Sequence, residues 1–204
     1  MKIAWVLGWA VPKQWFAHYA ESLFPKDTHV FIEPGPDTWD QLEQESPFDA
    51  LGGYSLGAQL LLENPARASR LAAKIGLFAP IFAFVDEAGL GGKVSRTQVR
   101  YLSKWLRRDR QAALADFYQR TRMDIPVAWS GEIPLTRLDW GLSHLESGAA
   151  KPPAPDGWKL YCGTADPLLN GECLATLDPA VILVPEGTHH PEMLLQAWIP
   201  ELQK

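Results

Sequence analysis

The 204-residue sequence contains few cysteines, only Cys162 and Cys173. Two cysteines are too few for a disulfide scaffold, and they show no metal-ligand spacing with the five histidines. No run of about 18 apolar residues occurs, so no membrane-spanning helix is predicted. The apolar start of the chain is short, is followed by Lys13 and has no small-residue cleavage site, so we do not expect a signal peptide. These absences favour a protein of the reducing cytoplasm.

Motifs for metals, nucleotides and dinucleotides are also missing. The sequence has no H-E-x-x-H, no Cys-x-x-Cys pair, no P-loop and no G-x-G-x-x-G fingerprint. We therefore expect neither a metal ion nor another cofactor. The net charge of −5 argues against nucleic acid as a partner, because phosphate binding needs concentrated positive charge.

Charge is distributed unevenly along the chain. Between Lys93 and Arg122, nine basic residues stand against two acids, which gives this segment a net charge of +7. The rest of the chain therefore carries −12. A basic segment in an otherwise acidic protein is suited to steering an acidic partner.

Alternation of strand-like and helix-like segments predicts the fold class. Hydrophobic residues make up 47% and charged residues 21% of the sequence, as in ordinary globular proteins, and the length suits one domain. Apolar runs of strand length alternate with segments in which apolar residues recur every three or four positions, which predicts an α/β fold with a mostly parallel sheet between helices. The predicted strands are 3–7, 29–32, 50–54, 75–84, 160–162 and 181–184, and the predicted helices are 15–23, 56–73, 97–106, 112–120 and 191–202.

One long segment interrupts this alternation. Residues 85–155 show helices and loops but no convincing strand, and the segment ends in the proline-rich stretch 151–155. We interpret residues 85–155 as a helical lid inserted between two strands, and we call this segment the insertion. Residues 1–84 and 156–204 are then the core.

Gly53-Tyr54-Ser55-Leu56-Gly57 fits the pattern G-x-S-x-G, directly after a predicted strand and directly before a predicted helix. This is the context of a nucleophile elbow, a sharp turn that exposes a serine at the edge of the sheet. Glycines flank the serine because side chains there would collide with the turn. The sequence thus predicts Ser55 as a nucleophile and the backbone NH of Leu56 as an oxyanion donor, although a glycine-rich turn with an inactive serine fits the same pattern.

A catalytic acid and a histidine follow Ser55 in the expected order. Asp166 follows a late predicted strand, and Pro167 keeps it out of helical geometry. Two histidines, His189 and His190, follow the last predicted strand, so either could accept the serine proton while Asp166 orients the ring. We prefer His189, because the usual pattern places the histidine two residues before a proline. Cys162, a rival nucleophile, lies within an apolar strand and is expected to be buried and inert.

These residues together resemble the pimeloyl-acyl carrier protein methyl ester carboxylesterases of biotin synthesis, which have the α/β-hydrolase fold. The resemblance covers nearly the whole chain. It implies that Ser55, Asp166 and His189 form the catalytic triad, that the NH groups of Trp9 and Leu56 bind the oxyanion, and that the sheet is shortened at one edge, since relatives have two earlier strands. The segments that carry the resemblance are 8–10, 53–57, 117–120 with Met123, 138–145, 163–166 and 189–191.

This chain departs from most of those relatives at two positions. Ala10 stands where they carry glycine, and Leu7 stands where they often carry histidine. The triad does not depend on the two strands that this chain lacks, whereas the choice of substrate could differ.

A basic stripe is predicted on the first helix of the insertion. Arg96, Arg100, Lys104 and Arg108 recur every four residues and share one helix face, while Val99, Leu102 and Leu106 share another. This face could bind acyl carrier protein, an acidic partner, or could simply be solvated. An acyl chain could lie beneath the lid, with Trp105, Phe117 and Tyr118 as candidate lining residues, although packing in the core is the favoured interpretation of each.

Three functions remain open at this point. The first is hydrolysis of the methyl ester of pimeloyl-acyl carrier protein through an acyl-enzyme. The second is a generic carboxylesterase or thioesterase, because fold and triad do not determine the acyl group or the leaving group. The third is a binding protein without catalytic activity that holds an acidic protein through the basic helix.

Overall fold

The structure of the protein, a computed structural model, describes residues 1–202 apart from the side chain of residue 130. Its centre is a six-stranded sheet in which all neighbouring strands are parallel, so the predicted α/β fold with a parallel sheet is confirmed. The strands are β1 (Lys2–Val6), β2 (Thr28–Ile32), β3 (Ala50–Tyr54), β4 (Lys74–Phe78), β7 (Lys159–Gly163) and β8 (Val181–Val184). Their order in the sheet is β2-β1-β3-β4-β7-β8.

Six helices connect and cover these strands within residues 1–202. They are α1 (Lys13–Leu23), α2 (Thr38–Glu45), α3 (Leu56–Glu63), α4 (Pro65–Leu71), α8 (Gly171–Leu177) and α9 (Pro191–Leu202). The chain winds from β1 outward to β2 and then returns to β3 on the other side of β1. Ligands of open α/β sheets bind at the carboxyl ends of the strands beside such a reversal. The sheet ends at β2 among the described residues.

Burial on both faces explains why the central strands are apolar. Every residue of β3 is buried, as is typical of a central parallel strand with helices on both sides. Two glycines make room for large aromatic rings: a Cβ on Gly52 would lie 2.3 Å from the Trp5 ring, and a Cβ on Gly76 would lie 2.5 Å from the Trp198 ring. Trp5 and Trp198 pack edge to face at 5.7 Å between ring centroids. These contacts attach α9, and with it the residues just before α9, to the centre of the sheet.

The insertion lies between β4 and β7 in the chain. It contains the helices α5 (Arg96–Arg108), α6 (Arg110–Thr121) and α7 (Leu135–Ser147), and the 3₁₀ turns Asp86–Ala88 and Val127–Glu132. A small separate sheet pairs β5 (Ala83–Val85) with β6 (Gly91–Val94). The expectation that residues 85–155 contain no strand was therefore wrong. The strand β6 was missed because it begins with glycines, which give no apolar signal. Gly92 allows the backbones of β5 and β6 to approach closely, since a Cβ on it would lie 2.0 Å from the carbonyl oxygen of Phe84.

Two predicted elements are each divided in the structure. The predicted strand 75–84 becomes β4 and β5, because Ala79 adopts a left-handed conformation with φ of 49° and the chain leaves the main sheet there. The predicted helix 56–73 becomes α3 and α4, because Pro65 has no NH to continue α3 and instead begins α4.

Candidate active site

Ser55 lies in the turn between β3 and α3, at the carboxyl edge of the sheet. Its φ of 53° is left-handed, which costs a non-glycine residue about 1–3 kcal/mol. The surrounding backbone enforces this conformation, since the Ser55 NH donates to the carbonyl of Phe78 at 2.9 Å. A Cβ on Gly57 would lie 2.1 Å from the carbonyl oxygen of Val6, and one on Gly53 would lie 2.8 Å from the Cα of Ala58. The two glycines are therefore required by packing, as the sequence pattern predicts.

The structure brings Ser55, His189 and Asp166 into one chain of hydrogen bonds. His189 Nε2 lies 3.0 Å from Ser55 Oγ, and His189 Nδ1 lies 2.8 Å from Asp166 Oδ2. All three residues are buried. The second carboxylate oxygen of Asp166 accepts hydrogen bonds from the NH groups of Leu168 at 2.8 Å and Leu169 at 3.1 Å. This geometry allows the ring to take the serine proton while the carboxylate stabilises the resulting imidazolium.

His190 has different neighbours, although it is adjacent to His189 in the chain. Its Nε2 lies 3.3 Å from a carboxylate oxygen of Asp124, which belongs to the insertion. Its ring packs edge-on against Trp15 and Tyr19 of α1. The structure therefore places His189, rather than His190, beside Ser55.

The two amides predicted to bind an oxyanion follow neighbouring strands. Leu56 is the first residue of α3, where backbone NH groups have no partner within the helix. Trp9 follows β1, and β1 pairs with β3 up to Val6 opposite Gly53. Among the hydrogen bonds of residues 1–202, neither amide donates to a protein acceptor. Both NH groups therefore remain candidates for binding an oxyanion.

Two further polar side chains contact the site and were not found from the sequence. The hydroxyl of Tyr54 donates to the carbonyl oxygen of His189 at 2.7 Å. Burial, followed by the charge of Asp166, raises the pKa of Tyr54 well above its usual value, so this phenol stays protonated. Lys93 Nζ donates to the carbonyl oxygen of Asp166 at 2.7 Å. Tyr54 lies inside the G-x-S-x-G motif, but no local pattern identifies the partner of its hydroxyl.

Cys162 is fully buried in β7, as expected. Burial is the main cause that raises the pKa of its thiol to about 12, and the nearby Asp166 carboxylate adds to the shift. A thiol in this state is not a nucleophile at neutral pH.

A cavity of about 450 Å³ lies between the insertion and the core. It reaches the site at Trp9, Pro167 and Leu168, whereas Ser55 itself is not among its lining residues. Two of the candidate lining residues, Trp105 and Phe117, line it. Tyr118 does not, because its side chain is buried beneath α6 and its hydroxyl bonds to the carbonyl of Ala10. The other lining residues are Phe84, Lys93, Val94, Thr97, Gln98, Val99, Tyr101, Leu102, Asp116, Arg120, Thr121, Leu142 and Leu145.

The predicted basic stripe lies on α5. Arg100, Lys104 and Arg108 are exposed and Arg96 is half-buried, while Val99 and Leu106 on another face are buried. Arg100 pairs with Glu146 of α7 at 2.7 Å. Within the part of the chain that the structure describes, the side chains of Lys104 and Arg108 form no ion pair. Part of the stripe is thus neutralised within the protein and part is free.

The described residues contain no group of three or more histidine, cysteine, aspartate or glutamate side chains that could hold a metal ion. Residues 1–202 also include no helix long and apolar enough to cross a membrane.

Comparison with solved structures shows that the chain has the α/β-hydrolase fold. An esterase from Exiguobacterium antarcticum superposes with a TM-score of 0.78 at 12% identity, covering 100% of this chain and 92% of that chain. A thermophilic esterase from Thermogutta terrifontis gives 0.62 at 14% identity, covering 100% and 91%. An epoxide hydrolase from Bacillus megaterium gives 0.61 at 12% identity, covering 99% and 91%. No protein-family profile and no curated protein sequence matches the chain.

Esterases and an epoxide hydrolase are thus alike in fold to this chain. At these identities the likeness concerns the fold alone, so the chemistry has to be argued from the site.

Proposed function

We propose that the protein is a serine hydrolase that cleaves carboxylic esters through an acyl-enzyme. The observation that carries this proposal is the continuous chain from Ser55 Oγ through His189 to Asp166, with distances of 3.0 and 2.8 Å. The strained turn at Ser55 and the NH of Leu56, which has no protein acceptor among the described residues, also support a serine hydrolase. An acyl transfer needs both a nucleophile and a site for the oxyanion.

The reaction follows from the positions of these groups. His189 Nε2 takes the proton of Ser55 as its oxygen attacks the ester carbonyl carbon, and the NH groups of Trp9 and Leu56 bind the developing oxyanion. When the tetrahedral intermediate collapses, the C–O bond to the alkoxy group breaks and His189 returns the proton to the departing alcohol. Water, deprotonated by His189, then attacks the acyl-enzyme. The bond between the acyl carbon and Ser55 Oγ breaks, His189 returns the proton to Ser55, and the carboxylic acid is released.

For the substrate, we propose the methyl ester of pimeloyl-acyl carrier protein. The resemblance of the sequence to esterases of that type motivates the choice. The largely apolar cavity of about 450 Å³ supports it, since such a cavity suits an acyl chain that enters beside Trp9 and Leu168. The proposed docking surface for the acidic carrier is the basic stripe, and Lys104 and Arg108 are its members most available for pairing.

A generic carboxylesterase or thioesterase is the second candidate. One observation favours it: Arg100 is already paired with Glu146, and Arg107 with Asp139, so the α5 surface carries less free positive charge than its sequence suggests. A binding protein without catalysis is the weakest candidate, because binding alone would not require the strained Ser55 turn or its bond to His189.

The test compares hydrolysis of pimeloyl-acyl carrier protein methyl ester with that of free short-chain p-nitrophenyl esters. We expect the wild type to cleave both classes, with much higher kcat/KM on the carrier-bound ester, and we expect Ser55→Ala to abolish turnover without unfolding the protein. An active Ser55→Ala variant would contradict the proposed chemistry. Cleavage of free esters alone would leave the chemistry standing and favour the generic esterase.

A charge-reversal pair tests the docking surface. We expect Lys104→Glu/Arg108→Glu to lower kcat/KM for the carrier-bound ester by about tenfold or more at low salt, because the carrier would lose its electrostatic steering. Lys26→Glu/Lys151→Glu is the matched control, since these exposed lysines lie outside α5 and the charge change is identical. Equal effects of the two pairs would show that only net charge matters.

A further inference from the structure

Trp9 belongs to a tight turn that has an unusual conformation. We call residues 8–11 the oxyanion loop. Ala10 within it has φ of 58°, a left-handed conformation that residues with a Cβ rarely adopt. The turn is closed by a weak bond from the Val11 NH to the Gly8 carbonyl at 3.4 Å. The left-handed φ of Ala10 is unfavourable, and the weak bond between Val11 and Gly8 stabilises the turn only slightly. The conformation of the loop therefore needs contacts from elsewhere in the molecule.

Tyr118 of α6 supplies that support. Its hydroxyl donates to the carbonyl oxygen of Ala10 at 2.6 Å, across 108 residues of sequence. Both residues are buried, so water does not compete for this bond. The adjacent Phe117 packs edge-on against the Trp9 ring at 4.8 Å, and Trp9 Nε1 donates to the carbonyl of Leu138 at 2.8 Å. The insertion therefore contacts the oxyanion loop through α6 and α7.

We propose that Tyr118 is a positioning residue for the oxyanion loop. By fixing the carbonyl of Ala10, its hydroxyl sets the conformation of the loop and thereby the direction of the Trp9 NH. Since negative charge on the substrate oxygen develops only during the reaction, misdirecting this NH affects the chemical step more than substrate binding. The proposal rests on the proposed esterase function, because only then does the Trp9 NH act on an oxyanion.

The first experiment measures kcat and KM of Tyr118→Phe with p-nitrophenyl butyrate. Removing one oxyanion donor outright costs about 10²–10³-fold in kcat, so misplacing one should cost about tenfold. We expect this loss in kcat, with KM changed less than about twofold. Tyr19→Phe is the matched control, because the Tyr19 hydroxyl also joins the core to the insertion, at Asp124, but lies outside the oxyanion loop. An equal loss in the control, or a loss confined to KM, would overturn the proposal.

Ala10→Gly provides a rescue experiment. Glycine adopts a positive φ without strain, so the loop should need the Tyr118 hydroxyl less. We expect Tyr118→Phe to lower kcat about tenfold in the native background but only about threefold in the Ala10→Gly background. Equal losses in both backgrounds would exclude support of a strained Ala10 as the role of the hydroxyl.

Amide hydrogen exchange at Val11, followed by NMR without substrate, makes the test independent of ester cleavage. We expect faster exchange in Tyr118→Phe than in the wild type or in Tyr19→Phe, because the turn would open more often. Unchanged exchange at Val11 would overturn the positioning role even where esterase activity is absent. By contrast, a wild type that cleaves no ester and whose Ser55 is not labelled by a fluorophosphonate would overturn the proposed function.

Discussion

The core and the insertion supply different parts of the proposed chemistry. Ser55, Asp166 and His189 all come from the core, at the carboxyl ends of β3, β7 and β8. The insertion supplies most of the cavity wall and the basic stripe. A reacting group has to be placed within a few tenths of an ångström, and the close-packed sheet provides the necessary rigidity. The sequence and position of the helices that cover the site can differ between enzymes with different substrates.

The two regions nevertheless share polar contacts near the site. The Lys93 NH of β6 donates to the carbonyl of Leu168, two residues after Asp166. Asp124 accepts hydrogen bonds from Trp15 and lies within 3.3 Å of His190 Nε2. The insertion thus braces the loops that carry the acid and the histidine, in addition to covering them.

Within the core, the largest difference in kcat is expected between the variants His189→Gln and His190→Gln. We expect His189→Gln to reduce kcat on p-nitrophenyl esters by on the order of 10⁴-fold, because no other described side chain forms a hydrogen bond with Ser55 Oγ. His190→Gln should change kcat by only a few-fold, since His190 faces Asp124. Steady-state kinetics of the two variants are the measurement, and a larger loss in His190→Gln would contradict the assignment.

Replacing a glycine with alanine in each region compares how closely the core and the insertion are packed. Gly57→Ala should lower the free energy of unfolding by about 3 kcal/mol, because its Cβ would lie 2.1 Å from the backbone oxygen of Val6 and backbone cannot easily yield. Gly131→Ala in the insertion should change it by less than about 0.5 kcal/mol, since no described heavy atom of a residue distant in the chain lies within 4 Å of its Cβ. Urea unfolding of both variants checks the contrast, and equal destabilisation would refute it.

Filling the cavity should alter specificity without removing the chemistry. Leu102 of α5 lines the cavity, so Leu102→Trp should shorten the acyl chain that fits. Losing burial of two methylenes, at about 0.8 kcal/mol each, should reduce the preference for octanoyl over butyryl p-nitrophenyl esters about tenfold. Leu135→Trp on α7 is the control, because Leu135 is exposed and does not line the cavity. If both variants keep the wild-type preference, the acyl chain binds elsewhere.

The smallest effect is expected where Asp37 of the core meets Arg137 of the insertion, at 2.9 Å. The hydrogen bond from Arg137 is the main cause that lowers the pKa of Asp37. A lowered carboxyl pKa stabilises the fold above the unfolded pKa of about 3.9, and this contribution is lost as the pH falls through the folded value. Asp37→Asn should therefore cost less than about 1 kcal/mol at pH 7 and nothing at about pH 2.

Thermal and urea unfolding of wild type and Asp37→Asn at both pH values measure the change in the free energy of unfolding and so test this prediction. Asp156→Asn is the control, because Asp156 is exposed and forms no ion pair among the described residues. A destabilisation by Asp37→Asn that persists unchanged in acid would assign the effect to packing rather than to charge.

Local patterns predicted most of the main sheet but less of the insertion. The strand 50–54 has the predicted bounds, because burial on both faces leaves a clear signal. The edge strand 181–184 also has the predicted bounds, although Ile182 is exposed. The strand β6 was missed because Gly91 and Gly92 have no side chains that reveal burial, and their role is close backbone approach. The break between α3 and α4 was missed although Pro65 marks it.

The sequence by itself determined the strained serine turn, the order of Ser55, Asp166 and the histidine pair, and the alternation that builds a parallel sheet. Each of these features arises from residues that are close together in the sequence, where steric requirements and hydrophobic periodicity can be recognised directly. Only the tertiary structure decided that His189 rather than His190 meets Ser55, that Tyr54 bonds to the His189 carbonyl, and that Tyr118 holds Ala10. These contacts join residues more than 100 positions apart, so they arise from how the elements pack and leave no local pattern in the chain.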